Sequence, residues 1–200
     1  MKTLRSRCWE WALSIHWLDW AFAGALVFAF VYSDTPLISP DAGGYLPAGE
    51  TFTDKAGAAH VGHGGVSFTG DAFRTWPPSL FYALVPEVFG NEGRAWFLLA
   101  GVLLGTIFLA RSISRWLPGL SSLVARALIY VVVLSGAALS QNFGISAEGP
   151  AFIFACVACG ALSSSLWRQS QSKVDRRFWV SAGSAWAFAL LVAVTRITGV

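Results

Sequence analysis

Ala95-Trp-Phe-Leu-Leu-Ala-Gly-Val-Leu-Leu-Gly-Thr-Ile-Phe-Leu-Ala110 carries no charge along its sixteen residues and is closed by Arg94 on one side and Arg111 on the other. With its flanking turns it approaches the roughly 20 residues a helix needs to cross a ~30 Å hydrocarbon core. Four more runs are predominantly apolar, two of them with a single charged residue (Asp19 and Arg126): Trp11 to Tyr32, Leu123 to Ser140, Pro150 to Leu166 and Phe178 to Val194. Trp96, Trp116, Trp167 and Trp179 stand at their flanks, where an amphipathic ring favours the membrane–water interface. The expected fold class is all-α, a polytopic transmembrane helix bundle of about five spans.

Composition agrees. Of the 200 residues, 55% are hydrophobic and only 12% charged, too few to clothe a soluble domain of this size. The net charge of +3 is no sign of nucleic-acid binding, because the charges are confined to short stretches between the apolar runs. The expected partner is the lipid bilayer.

Those stretches set an orientation. Lys2, Arg5 and Arg7 precede the first run; Arg111, Arg115 and Arg126 lie around the second connection; Arg168, Lys173, Arg176 and Arg177 lie between the fourth and fifth runs. The segment from Ser33 to Arg94 holds Lys55, Arg74 and Arg94 against seven acids, and Gln141 to Gly149 has no basic residue. The positive-inside rule then gives one consistent topology: a multi-pass protein of the bacterial inner-membrane type, with a cytoplasmic N-terminus and a long acidic outer loop. The first run is long and lacks a small-x-small site near Phe30 to Asp34, so it reads as an uncleaved anchor. His16 and Asp19 fall near its cytoplasmic end, where interfacial snorkelling is favoured over a buried polar role.

The chain reads as one transmembrane domain, residues 1–200, with the outer loop at 33–94. The loop begins Gly-rich and irregular, then changes after Trp76-Pro77-Pro78. Ser79 can cap a helix in which Leu80, Phe81, Leu84, Val85 and Val88 share much of one face, so residues 79–89 are expected to form an interfacial amphipathic helix. Pro86 is expected to kink or end it. Cys156 and Cys159, three residues apart, read as apolar packing rather than a metal or redox pair.

Several polar residues fall on the outer side. Asp41, in Ser39-Pro40-Asp41-Ala42-Gly43-Gly44-Tyr45, could act as a general base or metal ligand, or cap a turn. Glu148 precedes Pro150 at the mouth of the fourth run, where the helix dipole favours an acid and a cavity-facing acid would be functional. Arg196 at the outer end of the fifth run suits a helix C-terminus, and its guanidinium, like that of Arg74, can also grip a phosphate through two parallel hydrogen bonds. His60 and His63 with Asp54 and Asp71 form a weaker candidate metal set, because the surrounding glycines argue against the helix that His-x-x-His requires.

The order of these motifs resembles the GT-C superfamily of multispanning, polyprenyl-phosphate-dependent glycosyltransferases of the protein-mannosyltransferase-like kind. Asp41 with Tyr45 is similar to the family's first-loop acid. Arg74-Thr75-Trp76-Pro77-Pro78, continuing to Phe89-Gly90, is similar to its Arg/Pro helix and closing segment. Ser146-Ala147-Glu148 and Thr195-Arg196-Ile197-Thr198-Gly199 are similar to two later span-end motifs. Ala42 stands where many members have a second acid, Ile197 replaces a proline, residues 50–71 look inserted, and the five runs match the N-terminal half of the family fold. The resemblance implies inverting transfer of a sugar from a polyprenyl-phosphate donor to an acceptor at the outer face. Asp41 would be the base, Arg196 and Arg74 would hold the phosphate, and Tyr45 and Trp76 would lie in the substrate site. Glu148 would orient the acceptor or, with Asp41, hold a divalent cation such as Mg or Mn. It also implies the polyprenyl-phosphate sugar as a partner, and a second polypeptide or further spans completing the bundle. The competing expectations are a non-catalytic component, such as a small transporter or assembly subunit, and a truncated inactive product.

Overall fold

The computed structural model describes residues 16–32, 61–62, 65–66, 81, 84–85, 89–135 and 148–196. Five helices dominate it: α1 (Trp17–Tyr32), α2 (Gly90–Ser114), α3 (Leu120–Leu134), α4 (Glu148–Ser170) and α5 (Arg176–Arg196). A two-residue antiparallel pair, β1 (Val61–Gly62) and β2 (Gly65–Val66), joins Val61 to Val66 and Gly62 to Gly65 in the Gly-rich part of the long loop. The chain is thus an all-α helix bundle apart from that small ladder.

Among the described residues, three helices are long and apolar enough to cross a membrane: Gly93–Ser114, Gly149–Ser170 and Arg176–Thr195. α1 and α3 are apolar but shorter, at 16 and 15 residues. The outer surface carries large apolar side chains throughout, among them Leu128, Val132, Trp186 and Leu190. A surface of that kind is stable against lipid and aggregates in water. The chain is a membrane protein.

Helix boundaries depart from the apolar runs for local reasons. α2 and α4 extend beyond theirs because Arg111 to Ser114 and Arg168 to Ser170 continue helical hydrogen bonding once the apolar stretch has ended. α2 closes through Trp116 N–H to Ile113 O at 3.0 Å and Leu117 N–H to Ser114 O at 3.2 Å. Pro118 follows, and Gly119 at φ 59° takes a left-handed conformation open to glycine that lets the chain reverse into α3. α3 stops at Leu134, where Ser135 is already extended, six residues before the apolar run ends. Residues 11–15 and 136–140 of the expected first and third spans lie outside the described residues.

The α4–α5 turn is a Schellman motif. Lys173 N–H bonds Arg168 O at 2.9 Å, and Ser172 N–H bonds Gln169 O at 2.9 Å, with Ser172 in the left-handed region at φ 54°. Asp175 then caps α5, its Oδ1 accepting the Phe178 N–H at 3.0 Å.

α2 and α4 lie side by side and parallel. Gly149 meets Leu98, Gly101 meets Ile153, Gly105 meets Cys156 and Gly160 meets Phe108, so contacts advance along both chains together. Gly101 and Gly105 are four residues apart, the small-xxx-small spacing that brings helix backbones close. A parallel pair requires the connection to run back along the bundle, and α3 makes that return. α1 runs opposite to α2, with Asp19 beside Arg111 near the end of α2 and Phe30 against Trp96 near its start. α5 packs on α4 at the edge; 11% of its membrane-length window is buried, against 50% and 56% for α2 and α4.

The expected interfacial helix at 79–89 lies mostly outside the described residues. Phe81 and Val85 are buried whereas Leu84 is exposed, and the Phe81 ring packs at a tilt on Phe97 of α2 and edge-to-face on Phe154 of α4. Phe81 is therefore docked into the bundle.

Candidate functional site

Alternation of the helices gives the bundle two unlike ends. One end collects the start of α1, the end of α2, the start of α3 and the α4–α5 turn. The other collects the end of α1 and the starts of α2 and α4, together with the ends of α3 and α5. Glu148 is the first residue of α4 and Arg196 the last of α5. These two helices pack as an antiparallel hairpin, and at 1.5 Å per residue each is about 32–35 Å long, so the two backbones stand at the same end. Arg94, buried one turn before Leu98, belongs to that end too. Asp41, Tyr45, Arg74, Trp76 and the His60, His63, Asp54, Asp71 set lie outside the described residues. Chain continuity starts their loop at Tyr32 and returns it at Gly90, both at this end.

The divalent cation gains no support from side chains in view. Asp41 is not described and Glu148 is described only in its backbone; among the described residues no group of three His, Cys, Asp or Glu could hold a metal. Cys156 is buried against Gly105 and Cys159 is exposed, so the two thiols point to different surroundings.

The opposite end holds a polar cluster that the apolar pattern conceals. Asp19 is buried with no exposed side-chain surface, which corrects the snorkelling expectation. Its Oδ2 accepts the Arg111 Nε–H at 3.2 Å and the His16 backbone N–H at 3.2 Å. Its Oδ1 accepts the Tyr130 hydroxyl and lies 3.7 Å from an Arg126 terminal nitrogen. His16 is the N-cap: its Nδ1 accepts the Leu18 N–H at 3.3 Å while Asp19 reaches back to the His16 N–H, a reciprocal capping arrangement. Tyr130 stacks flat on Phe22 at 4.3 Å. Arg126 Nε–H also donates to Ser114 Oγ at 3.1 Å. One carboxylate thus ties α1 to α2 and α3.

A second network joins α2 to α4 at the same end. Ser163 Oγ accepts the Trp116 indole N–H at 3.0 Å and donates to Ser112 O, while Ser164 Oγ donates to Ser112 Oγ at 3.1 Å. The side-chain hydrogen bonds that tie α1 to α2 and the end of α2 to α4 gather here. Arg115 lies just beyond α2 and makes no ion pair among the described residues. Arg115 is exposed by surface area, so the burial that lowers its guanidinium below the ordinary arginine value is only partial desolvation beside the helix ends, joined by the charges of Arg168, Arg111 and Arg126. The available signal for this cluster was an acid set in an apolar run; its partners are 92 and 111 positions away.

Comparison of the chain with protein-family models, curated proteins and solved structures finds no match.

Proposed function

We propose that the chain is a multi-pass membrane glycosyltransferase of the GT-C type, or the N-terminal part of one, with a cytoplasmic N-terminus. It transfers a sugar from a polyprenyl-phosphate donor to an acceptor at the outer face. The observation that carries the reading is the one-sided order of Asp41, Arg74, Glu148 and Arg196 along the chain, each in or beside a segment with few basic residues.

The chemistry follows from those residue types. The acceptor hydroxyl attacks the anomeric carbon, its proton passes to the Asp41 carboxylate, and the bond from that carbon to the phosphate oxygen breaks. Polyprenyl phosphate leaves with more negative charge than it held in the donor, and a guanidinium from Arg196, aided by Arg74, stabilises that charge most in the transition state. Glu148 orients the acceptor, with Tyr45 and Trp76 lining the approach.

The test is transfer of a labelled sugar from its polyprenyl phosphate in membranes holding the protein with its native neighbours. Asp41→Asn should lower turnover about 10²–10⁴-fold, the usual worth of a positioned base, and Arg196→Gln should also lower it. Undiminished turnover in Asp41→Asn removes Asp41 as the base. The second reading is a non-catalytic subunit, favoured by the edge position of α5, which leaves a face open to a partner; it requires that neither substitution changes the behaviour of the assembly.

A further inference from the structure

Among the described residues, the polar end of the bundle carries more cations than anions. Arg111, Arg115 and Arg168 stand at the ends of α2 and α4 and Arg126 in the second turn of α3, with Lys173, Arg176 and Arg177 in the adjoining turn and first turn of α5. Among the described residues at that end they face two carboxylates. Asp19 is saturated by Arg111, Arg126, Tyr130 and the His16 backbone. Asp175 lies 3.5 Å from Arg168 and is half exposed, the kind of pair worth little in water. Arg115 is the C-cap of α2, and the indole N–H of the next residue, Trp116, donates to Ser163 Oγ of α4 at 3.0 Å, less than two turns before Arg168, so the closing ends of α2 and α4 are held together with Arg115 and Arg168 on them. A concentration of cations of this kind calls for an anion.

The depth of this end says which anion is at hand. Trp17, Trp20, Trp116 and Trp179 are exposed around it, and exposed indoles ringing the end of an apolar bundle mark the headgroup level of a bilayer. Phosphate esters of lipids are the abundant anions at that level, and a guanidinium matches a phosphate through paired hydrogen bonds. We propose that Arg115 and Arg168, backed by Arg111 and Arg126, form a binding site for the phosphate of an anionic phospholipid between the ends of α2 and α4. The site lies at the opposite end from Glu148 and Arg196 and does not depend on the transferase reading. Lipid at this position would stabilise the parallel α2–α4 pair by neutralising the repulsion at its closing end.

The experiment uses the full chain purified in neutral detergent, with bound lipid counted by native mass spectrometry as phosphatidylglycerol or phosphatidylcholine is titrated. The wild-type chain should retain phosphatidylglycerol in preference to phosphatidylcholine. At about fivefold per cation near a lipid phosphate, Arg115→Gln with Arg168→Gln should weaken retention about 25-fold. Lys173→Gln with Arg177→Gln makes the same change in net charge at the exposed turn and should weaken it less than about threefold. Equal weakening by the two pairs would overturn the site in favour of diffuse attraction, and equal retention of both lipids would overturn it outright. Displacement of the lipid by an equal concentration of glycerol 3-phosphate would overturn the lipid assignment. The wild-type chain supplies an independent measurement if the double variant fails to fold. Phosphatidylglycerol should slow phenylglyoxal modification of Arg115 and Arg168 but not Arg177, and uniform modification refutes the proposal.

Discussion

Replacing Asp19 by alanine tests the structural centre of this protein. The substitution removes a carboxylate that accepts from the Arg111 guanidinium, the Tyr130 hydroxyl and the His16 backbone N–H and pairs with the Arg126 guanidinium, which keeps its bond to Ser114 Oγ. Removing one partner of a buried ion pair costs about 3–5 kcal/mol, because the remaining charge stays buried. Arg111 and Arg126 keep 13% and 19% of their side-chain surface, so they can turn partly towards headgroup water, and the lower part of that range applies. Tyr130 is 4% exposed and loses its acceptor at about 1–3 kcal/mol, a cost that overlaps the first because these donors share one carboxylate. The expected destabilisation is about 3–4 kcal/mol. Asp19→Asn keeps an oxygen for Tyr130 and should cost about 1–2 kcal/mol. The assay is reversible unfolding in mixed detergent by SDS titration followed by tryptophan fluorescence, with hydrogen exchange to locate the change. Protection should fall in α1 while the α4–α5 hairpin keeps its own. An Asp19→Ala protein within about 0.5 kcal/mol of wild type, the range of an ordinary surface substitution, would refute the clamp.

Three further outcomes are expected. Gly149→Ala should destabilise by about 1–3 kcal/mol, since its Cβ would lie 2.6 Å from the fully buried Leu98, whereas Gly183→Ala meets nothing within 4 Å and should stabilise by about 0.5–1 kcal/mol; SDS titration checks both. The Phe178 N–H, and secondarily Arg168, hold the Asp175 carboxyl below its usual value, so its cap supports α5 at neutral pH and is lost as pH falls through that lowered value. Protection of the first α5 amides, relative to their intrinsic exchange at each pH, should therefore fall at acid pH in wild type and stay flat in Asp175→Asn. A cysteine at Ser172 should be shielded from an impermeant thiol reagent in intact cells and one at Asp54 labelled; the reverse pattern refutes the cytoplasmic N-terminus.

The helices were legible because five apolar runs need no partner information to be read, and the alternation of basic and acidic connections predicted which ends belong together. Boundaries were less legible. Arg111 to Ser114 breaks the hydropathy pattern without breaking helical hydrogen bonds, and Ser135 leaves the helix inside an apolar stretch. Glu148 and Arg196 were placed at one end by counting spans, and the α4–α5 hairpin gives the same placement for their backbones. The Asp19 cluster was missed for a physical reason. Spacing within α1 shows an acid at the third helical position, which an interface would tolerate, and nothing local announces Arg111, Arg126 and Tyr130 from two other helices.

The contrast between α1 and the α2–α4 pair explains why a buried charge stands where it does. In lipid, apolar side chains gain little by leaving lipid for one another, so association rests on close packing and polar contacts. α2 and α4 have the first: Gly101, Gly105 and Gly160 let backbones approach until an added Cβ would meet Ile153 at 2.6 Å or Phe108 at 2.7 Å. α1 lacks it. Its buried stripe is Phe22, Leu26 and Phe30, all large, and Gly24 faces open space. A helix with one stripe of bulky side chains and no close approach needs polar glue, and Asp19 provides it at a depth where the two arginines still reach the interface. Ser164→Ala, which removes one hydroxyl contact from a pair already held by packing, should therefore cost well under half of what Asp19→Ala costs. Equal costs would mean that α1 is held by its aromatic stripe and that the carboxylate is merely tolerated.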